Sequence, residues 1–302
     1  MKLCTYLCGE EYRLGIVEGS DIIDLKLALE KVHKGLVDEF GGSFLSSMKQ
    51  FLLMGPKAME ATEKTFDTIK PLLKDSDSVR DLKKEGAIRD VLQTKLSTPI
   101  IPSKIVCMGN VYLSHVQQAG REIPEEPDTF LKPPTSLIGP GDPILLPRYC
   151  PETITFGVEL CLVIGKRAKH IPEKAAYDYV FGYTILNDVT ARGIVSGGDT
   201  NKMFDTFAPV GPYIVLRNQV KYPQNLNMLV RVNGDVKQRG YTKNMSFSIP
   251  HILSLVSEVM TLEVGDLLAT GDVGCNYYLK PGDVMETEIE GLGVLRNPVE
   301  LE

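Results

Sequence analysis

Phe156-Gly-Val-Glu-Leu-Cys-Leu-Val-Ile-Gly165 is an apolar run broken by one carboxylate, Glu159. Val158 to Ile164 has the length and composition of a strand. Strand alternation puts Gly157, Glu159, Cys161 and Val163 on one face. Cys161 and Val163 are apolar, which is the pattern of a buried face. A carboxylate there must be paired, bound to a metal or exposed at an edge, since an unpaired buried charge is very costly. Two readings stay open from the pattern alone: a half-exposed strand with Glu159 on its wet side, or a buried carboxylate with a partner.

Working outward, the chain on either side is punctuated by Gly and Pro, and short strand patterns recur. They lie at Ile105 to Met108, Ile144 to Leu146, Tyr183 to Asn187, Tyr213 to Leu216, Met228 to Val232, Leu267 to Ala269 and Val284 to Ile289. Val232-Asn-Gly-Asp235 is a hairpin signal, because Asn-Gly supplies the positive φ values of a type I′ turn. Helices are expected at Pro172 to Tyr179 and Ile249 to Val259. Many short strands with few helices predict an α+β, β-rich roll or sandwich, not a doubly wound sheet. The first hundred residues read differently, with strands at Lys2 to Leu7, Tyr12 to Val17 and Asp21 to Leu25. Helical patterns follow at Leu25 to Val32, Phe44 to Leu53 and Lys57 to Leu73, and Lys74 to Gly86 is polar with little to bury. Ser97 to Ser103, with Pro99 and Pro102, reads as a hinge. The expected organisation is a small N-terminal α/β domain over 1–98 and a core over 104–302.

A chain of 302 residues with 43% hydrophobic and 24% charged residues has the composition of a soluble globular protein. Its net charge of −6, from 33 basic and 39 acidic residues, argues against a nucleic-acid surface. No like-charge block suits a membrane patch, and no apolar stretch spans a bilayer. The N-terminus turns acidic too soon for a secretory signal. Six scattered cysteines lack zinc-site spacing and indicate a reducing, cytoplasmic setting.

Taken singly, the polar residues near these strands have ordinary explanations. Asn187-Asp188 is turn chemistry or a site at a strand end. His115 is a structural hydrogen-bonding residue or a catalyst. Lys202 by itself is a surface lysine. Together with their neighbours they form an ordered series: Phe130-Leu-Lys132, Gly139-Pro-Gly-Asp-Pro-Ile144, Val158 to Lys166 and Gly182-Tyr-Thr-Ile-Leu-Asn-Asp-Val-Thr-Ala-Arg192. Then come Lys202-Met-Phe-Asp-Thr-Phe207, Gly211-Pro212, Val232-Asn-Gly234, Leu262-Glu-Val-Gly-Asp266 and Leu279-Lys-Pro-Gly-Asp-Val284. In order and spacing this series, over about 104 to 302, resembles the fumarylacetoacetate hydrolase superfamily.

The resemblance implies a mixed β-sandwich roll, a homodimer and an Mg²⁺, Mn²⁺ or Ca²⁺ ion that chelates a small anionic 2-oxo or β-diketo acid. The cation would stabilise the enolate formed as a C–C bond breaks or a proton moves. Position by position, Glu159 and Asp188 match two of the family's three carboxylate ligands. Lys202 matches the site lysine, Arg192 the arginine and His115 the catalytic histidine. Arg192, Tyr112, Lys132 and Thr270 are expected to hold the substrate.

The departures fall in the pocket. Gly157 stands where the first glutamate ligand is expected, and Gln118 replaces the glutamate that partners the histidine. A glutamine three residues after the arginine is replaced by Val195. The Thr-Gly-Thr-Pro loop reads Thr270-Gly-Asp-Val273. Asp272 is therefore either a turn residue or a replacement ligand, and metal binding is either retained, weakened or lost. Gln118 orients an imidazole but takes up no proton, which counts against water activation. Decarboxylation and keto–enol tautomerisation need enolate stabilisation more than hydroxide. Hydrolysis stays open if Glu122, Glu125 or Glu126 reaches inward. The alternative is a non-catalytic or repurposed member, a metal-independent lyase or isomerase, or an anion-binding module.

Overall fold

The computed structural model describes residues 1–32, 35, 45–118, 120–150, 152–193 and 199–302. The chain opens with an antiparallel meander, β1 (Lys2–Cys8), β2 (Glu11–Glu18) and β3 (Asp21–Asp24). α1 (Leu25–Val32) follows without a loop, because the buried Asp24 carboxylate accepts the Leu27 amide at 2.9 Å and caps its first turn. Next come α2 (Met48–Leu53), α3 (Pro56–Ile69), α4 (Ser76–Lys84) and β4 (Ile88–Asp90), which returns to pair with β3.

The second part begins with β5 (Ile105–Gly109), α5 (Leu113–Gln118), β6 (Asp128–Lys132) and β7 (Ile144–Leu146). β8 (Val158–Ile164), β9 (Val180–Asn187) and β10 (Ala208–Leu216) form its centre. The hairpin β11 (Asn227–Val232) and β12 (Asp235–Tyr241) turns at Asn233 and Gly234, whose φ values of 53° and 85° are those a type I′ turn requires. α6 (Ile249–Val259), β13 (Leu267–Ala269), β14 (Val284–Ile289) and β15 (Gly293–Leu301) complete the chain.

One large sheet runs β4-β3-β2-β1-β10-β9-β8-β13-β5-β6, and a second runs β12-β11-β14-β15-β7. The N-terminal meander joins the first sheet through β1 and β10, with Leu3 opposite Ile214. On one face of the large sheet, Leu160, Leu162 and Ile185 pack with Val230, Met285 and Leu295 of the second sheet and with Leu253 of α6. On the other, Cys161, Val163 and Ile214 pack with Ala28, Phe51 and Phe66 of the N-terminal helices. β8 is thus covered on both faces, and every one of its residues is buried. This is why it reads as a continuous apolar run.

The α+β, strand-rich class agrees with the sequence reading, and several details refine it. The helix expected from Phe44 begins at Met48, capped by the Ser47 hydroxyl; Phe44 lies outside the described residues. The polar stretch from Lys74 contains α4, whose only buried residue is Leu82 and whose N-terminus is capped by Asp75. Glu173–Tyr179 is a 3₁₀ turn, not an α-helix. The proline-containing segment is pinned: Ser97 pairs with Thr5, Ile100 is buried, and Ser103 bonds the buried Asp266. All six cysteines are free, and Cys107 and Cys161 are wholly buried. Among the described residues no helix is long and apolar enough to cross a membrane.

Candidate functional site

Register fixes the site. Val158 pairs with Asn187 and Glu159 with Leu186, so Asp188 emerges beside Gly157, whose carbonyl accepts the Asp188 amide at 2.8 Å. On the other side of β8, Cys161 pairs with Ala269. The loop after β13 therefore reaches the same end, where the Gly271 amide donates to Glu159 Oε2 at 2.7 Å. β5 runs parallel to β13 and leads at this end into α5, which carries His115.

Glu159, Asp188 and Asp272 converge there, with one oxygen from each lying within 4.8 Å of the others. Oxygen ligands about 2.0–2.6 Å from one cation lie at most roughly 4–5 Å apart, so the set fits a hard divalent ion. Two further observations agree. Asp188 Oδ1 is buried and has the Lys132 ammonium at 2.9 Å as its one polar neighbour among the described residues, which leaves it a lone pair for a cation. Glu159 is buried beside Asp188 and Asp272, and desolvation first, then the two neighbouring charges, pushes its carboxyl well above the usual range. A divalent ion would relieve that repulsion.

Asp272 lies against Gly157 and Gln238. A Cβ on residue 157 would stand 2.6 Å from Asp272 Oδ2 and 2.7 Å from its Cβ, so the glycine leaves the volume that the carboxylate fills. Asp272 Oδ1 accepts the Gly274 amide at 2.6 Å, and Gln238 Nε2 stands 3.4 Å from the same oxygen.

Two lysines back the cluster. Lys132 is fully buried; its ammonium lies 2.9 Å from Asp188 Oδ1 and donates to the carbonyls of Val189, at 3.0 Å, and Lys202, at 2.6 Å. Its three protons thus have protein partners, which places it behind Asp188 and not toward a substrate. Lys202 pairs with Asp188 Oδ2, donates to Thr190 Oγ1 at 3.0 Å and lies 4.6 Å from the centre of the Phe130 ring. Burial works to raise the Asp188 carboxyl, but the two ammonium groups outweigh it and hold it at about 2.

His115 Nδ1 lies 3.3 Å from the Asp272 carbonyl oxygen and 3.4 Å from its Oδ2. Its hydrogen bond to Asp272 raises the imidazole above its ordinary value, against the effect of burial. Gln118 is not its partner. It is exposed and donates to Asn276. Tyr112 is buried, with a hydroxyl that finds no partner; burial first, then the charges of Glu159 and Asp272, raises it. The Thr270 hydroxyl is spent on the Leu160 carbonyl at 2.9 Å. Arg192 is exposed and bonds Thr155 Oγ1 at 2.9 Å. Val195 lies outside the described residues. Glu126 turns away to His251 at 2.7 Å, and Glu122 and Glu125 are exposed on the same segment.

The residue that the sequence reading missed is Gln238. The Asn-Gly hairpin implies a returning strand, and alternation along it sets Gln238 opposite the buried Val230.

Residues 104–300 match the C-terminal domain of fumarylacetoacetate hydrolase. The mitochondrial oxaloacetate tautomerase fahd2 of Xenopus laevis is 34% identical over 299 residues, covering 95% of this chain and 85% of that protein. The oxaloacetate tautomerase YisK of Bacillus subtilis is 38% identical over 221 residues, 68% of this chain and 73% of its own. Maleylpyruvate hydrolase from Sphingobium sp. SYK-6, solved with manganese(II) and pyruvate, superposes with a TM-score of 0.77 at 28% identity, covering 100% of this chain and 99% of that one. Tautomerases, isomerases and hydrolases of small acids thus share this architecture. On the match over its C-terminal two thirds, the chain belongs to the fumarylacetoacetate hydrolase family.

Proposed function

We propose that this protein interconverts the keto and enol forms of a small 2-oxo dicarboxylic acid of the oxaloacetate type. The observation that carries the reading is the convergence of Glu159, Asp188 and Asp272, with Lys202 set on one of these carboxylates and His115 on another. The likeness to two oxaloacetate tautomerases supports the substrate class.

Glu159, Asp188 and Asp272 would hold a divalent cation of the Mg²⁺ or Mn²⁺ kind. Such an ion supplies Lewis-acid stabilisation of enolate oxygens. Lys202, the partly exposed lysine of the pair, presents its ammonium to a substrate carboxylate, while Lys132 keeps Asp188 ionised and in place. His115 moves the proton. Nδ1 is turned to Asp272, and among the described residues Nε2 has no protein partner, so it is the nitrogen free to exchange with the carbon next to the substrate carbonyl. Gln118 has no carboxylate to offer, and its amide is engaged by Asn276. Tautomerisation needs no activated water, which is why it suits this arrangement better than hydrolysis.

The test is an ultraviolet assay of enol-oxaloacetate decay with Mg²⁺ or Mn²⁺, set beside release of pyruvate from acylpyruvates. Tautomerisation exceeding hydrolysis, and lost in Asp188→Asn by about 100-fold or more, is the expected result. Acylpyruvate cleavage as the faster reaction would reverse the assignment to a hydrolase.

A further inference from the structure

We infer that Gly157, Asp272 and Gln238 are one interlocked unit, in which Gln238 is the positioning residue that makes Asp272 a cation ligand and Gly157 is the space that admits it. The inference rests on the cation reading above and extends it to residues that touch neither ion nor substrate.

Asp272 lies in a loop, and a loop carboxylate beside two others is repelled by them. Something must hold it in. Gln238 does so from β12: its Oε1 accepts the Val158 amide at 2.9 Å, and its Nε2 donates to the Gly274 carbonyl at 2.8 Å and faces Asp272 Oδ1 at 3.4 Å. One buried amide thereby ties the start of β8, between Gly157 and Glu159, to both ends of the 272–274 turn. An amide is suited to this place because it gives a donor to the loop and an acceptor to the strand; glutamate would lack the donor and leucine both. From the other side, any side chain at 157 enters the volume of the Asp272 carboxylate. Residues 157 and 272 therefore compete for one position beside Glu159 and Asp188. The same carboxylate touches His115, so one turn sets both the ligand and the imidazole.

Mn²⁺ binding to the full chain, read by electron paramagnetic resonance or calorimetry, tests this without activity. Gln238→Leu and Gly157→Ala should each raise the Mn²⁺ dissociation constant by about 10–100-fold, as loss of a supporting partner does at other metal sites. Folding is checked by circular dichroism. The reciprocal exchange guards against a merely structural effect. Asp272→Ala alone should lose tight binding, Gly157→Glu with Asp272→Ala should recover it, and Gln238→Leu added to that pair should change it by less than about threefold, since the carboxylate no longer depends on the loop. A Gln238→Leu protein that folds and binds Mn²⁺ within about twofold of the native chain would overturn the inference. So would a folded exchanged pair that does not recover binding. Glu159→Gln separates the two levels: if it too leaves Mn²⁺ affinity unchanged, the cation reading itself falls and takes this inference with it.

Discussion

Lys132 and Asp188 form an ion pair sealed from solvent, with Nζ 2.9 Å from Oδ1 and neither side chain more than 3% exposed. The lysine also donates to two backbone carbonyls, so its desolvation is offset by a full set of acceptors. Lys132→Met should therefore leave a buried carboxylate short of a partner and lower stability by about 3 kcal/mol or more. Urea unfolding monitored by circular dichroism measures it. A loss within about 0.5 kcal/mol, the size of an ordinary surface change, would show that Lys132 is not what holds Asp188.

His115 and Gln118 sit three residues apart on α5 yet have different partners, Asp272 and Asn276. His115→Gln should reduce turnover by about 100- to 10,000-fold, the usual contribution of a positioned proton-transfer group, while Mn²⁺ still binds. Gln118→Ala should leave turnover within about threefold, as expected of a residue outside the proton path. Steady-state kinetics on both variants decides between them. Equal losses would return Gln118 to the reaction.

A third prediction concerns the segment that follows α5. His251 bridges Glu126 of that segment at 2.7 Å and Glu173 at 2.9 Å, and stacks on Phe247. Its two carboxylate partners raise its ionisation above the ordinary 6.5, against a smaller effect of burial. A histidine raised in the folded state stabilises fully below its unfolded value, and that contribution is lost as pH rises through the folded one. The difference in melting temperature between the native chain and His251→Gln should be largest at mildly acid pH and shrink as pH climbs past the raised value. For a partly exposed pair it amounts to about 1 kcal/mol or less. A difference that is flat with pH, or that grows toward alkaline pH, would contradict the bridge.

The cation should also stabilise the fold. A ligand that binds only the native state adds about 2.7 kcal/mol at one hundred times its dissociation constant. Melting curves with and without Mn²⁺ should therefore separate in the native chain and coincide in Glu159→Gln. Equal shifts in the two proteins would place the bound metal elsewhere.

Strand β8 was legible because burial on both faces writes itself as an apolar run, and the lone Glu159 within it pointed to the site. Asp188 and Lys202 were legible from the series of segments that the chain shares with its family. Gln238 was not, because a glutamine on a polar hairpin strand looks the same in sequence whether it faces water or a buried loop. Lys132 was read as facing the substrate, since sequence gives no hint of three protein acceptors around one ammonium group. Asp272 could be read either way. Only the fold brings the end of β13 over Gly157, and the vacancy at one position together with the carboxylate at the other is a relationship between strands, not between neighbours in the chain. β12 is marked in the sequence only by its hairpin turn because it is largely polar, and β15, which contains Pro298, carries no clean strand pattern.

Diffraction from a crystal soaked with Mn²⁺ and oxalate, recorded at the manganese absorption edge, tests the central claim most directly. An anomalous peak within about 2.0–2.6 Å of oxygens from Glu159, Asp188 and Asp272, with oxalate completing the ion and reaching Lys202, is the predicted result. Density that places manganese away from those three carboxylates, or none at a concentration that saturates the protein in solution, would contradict it.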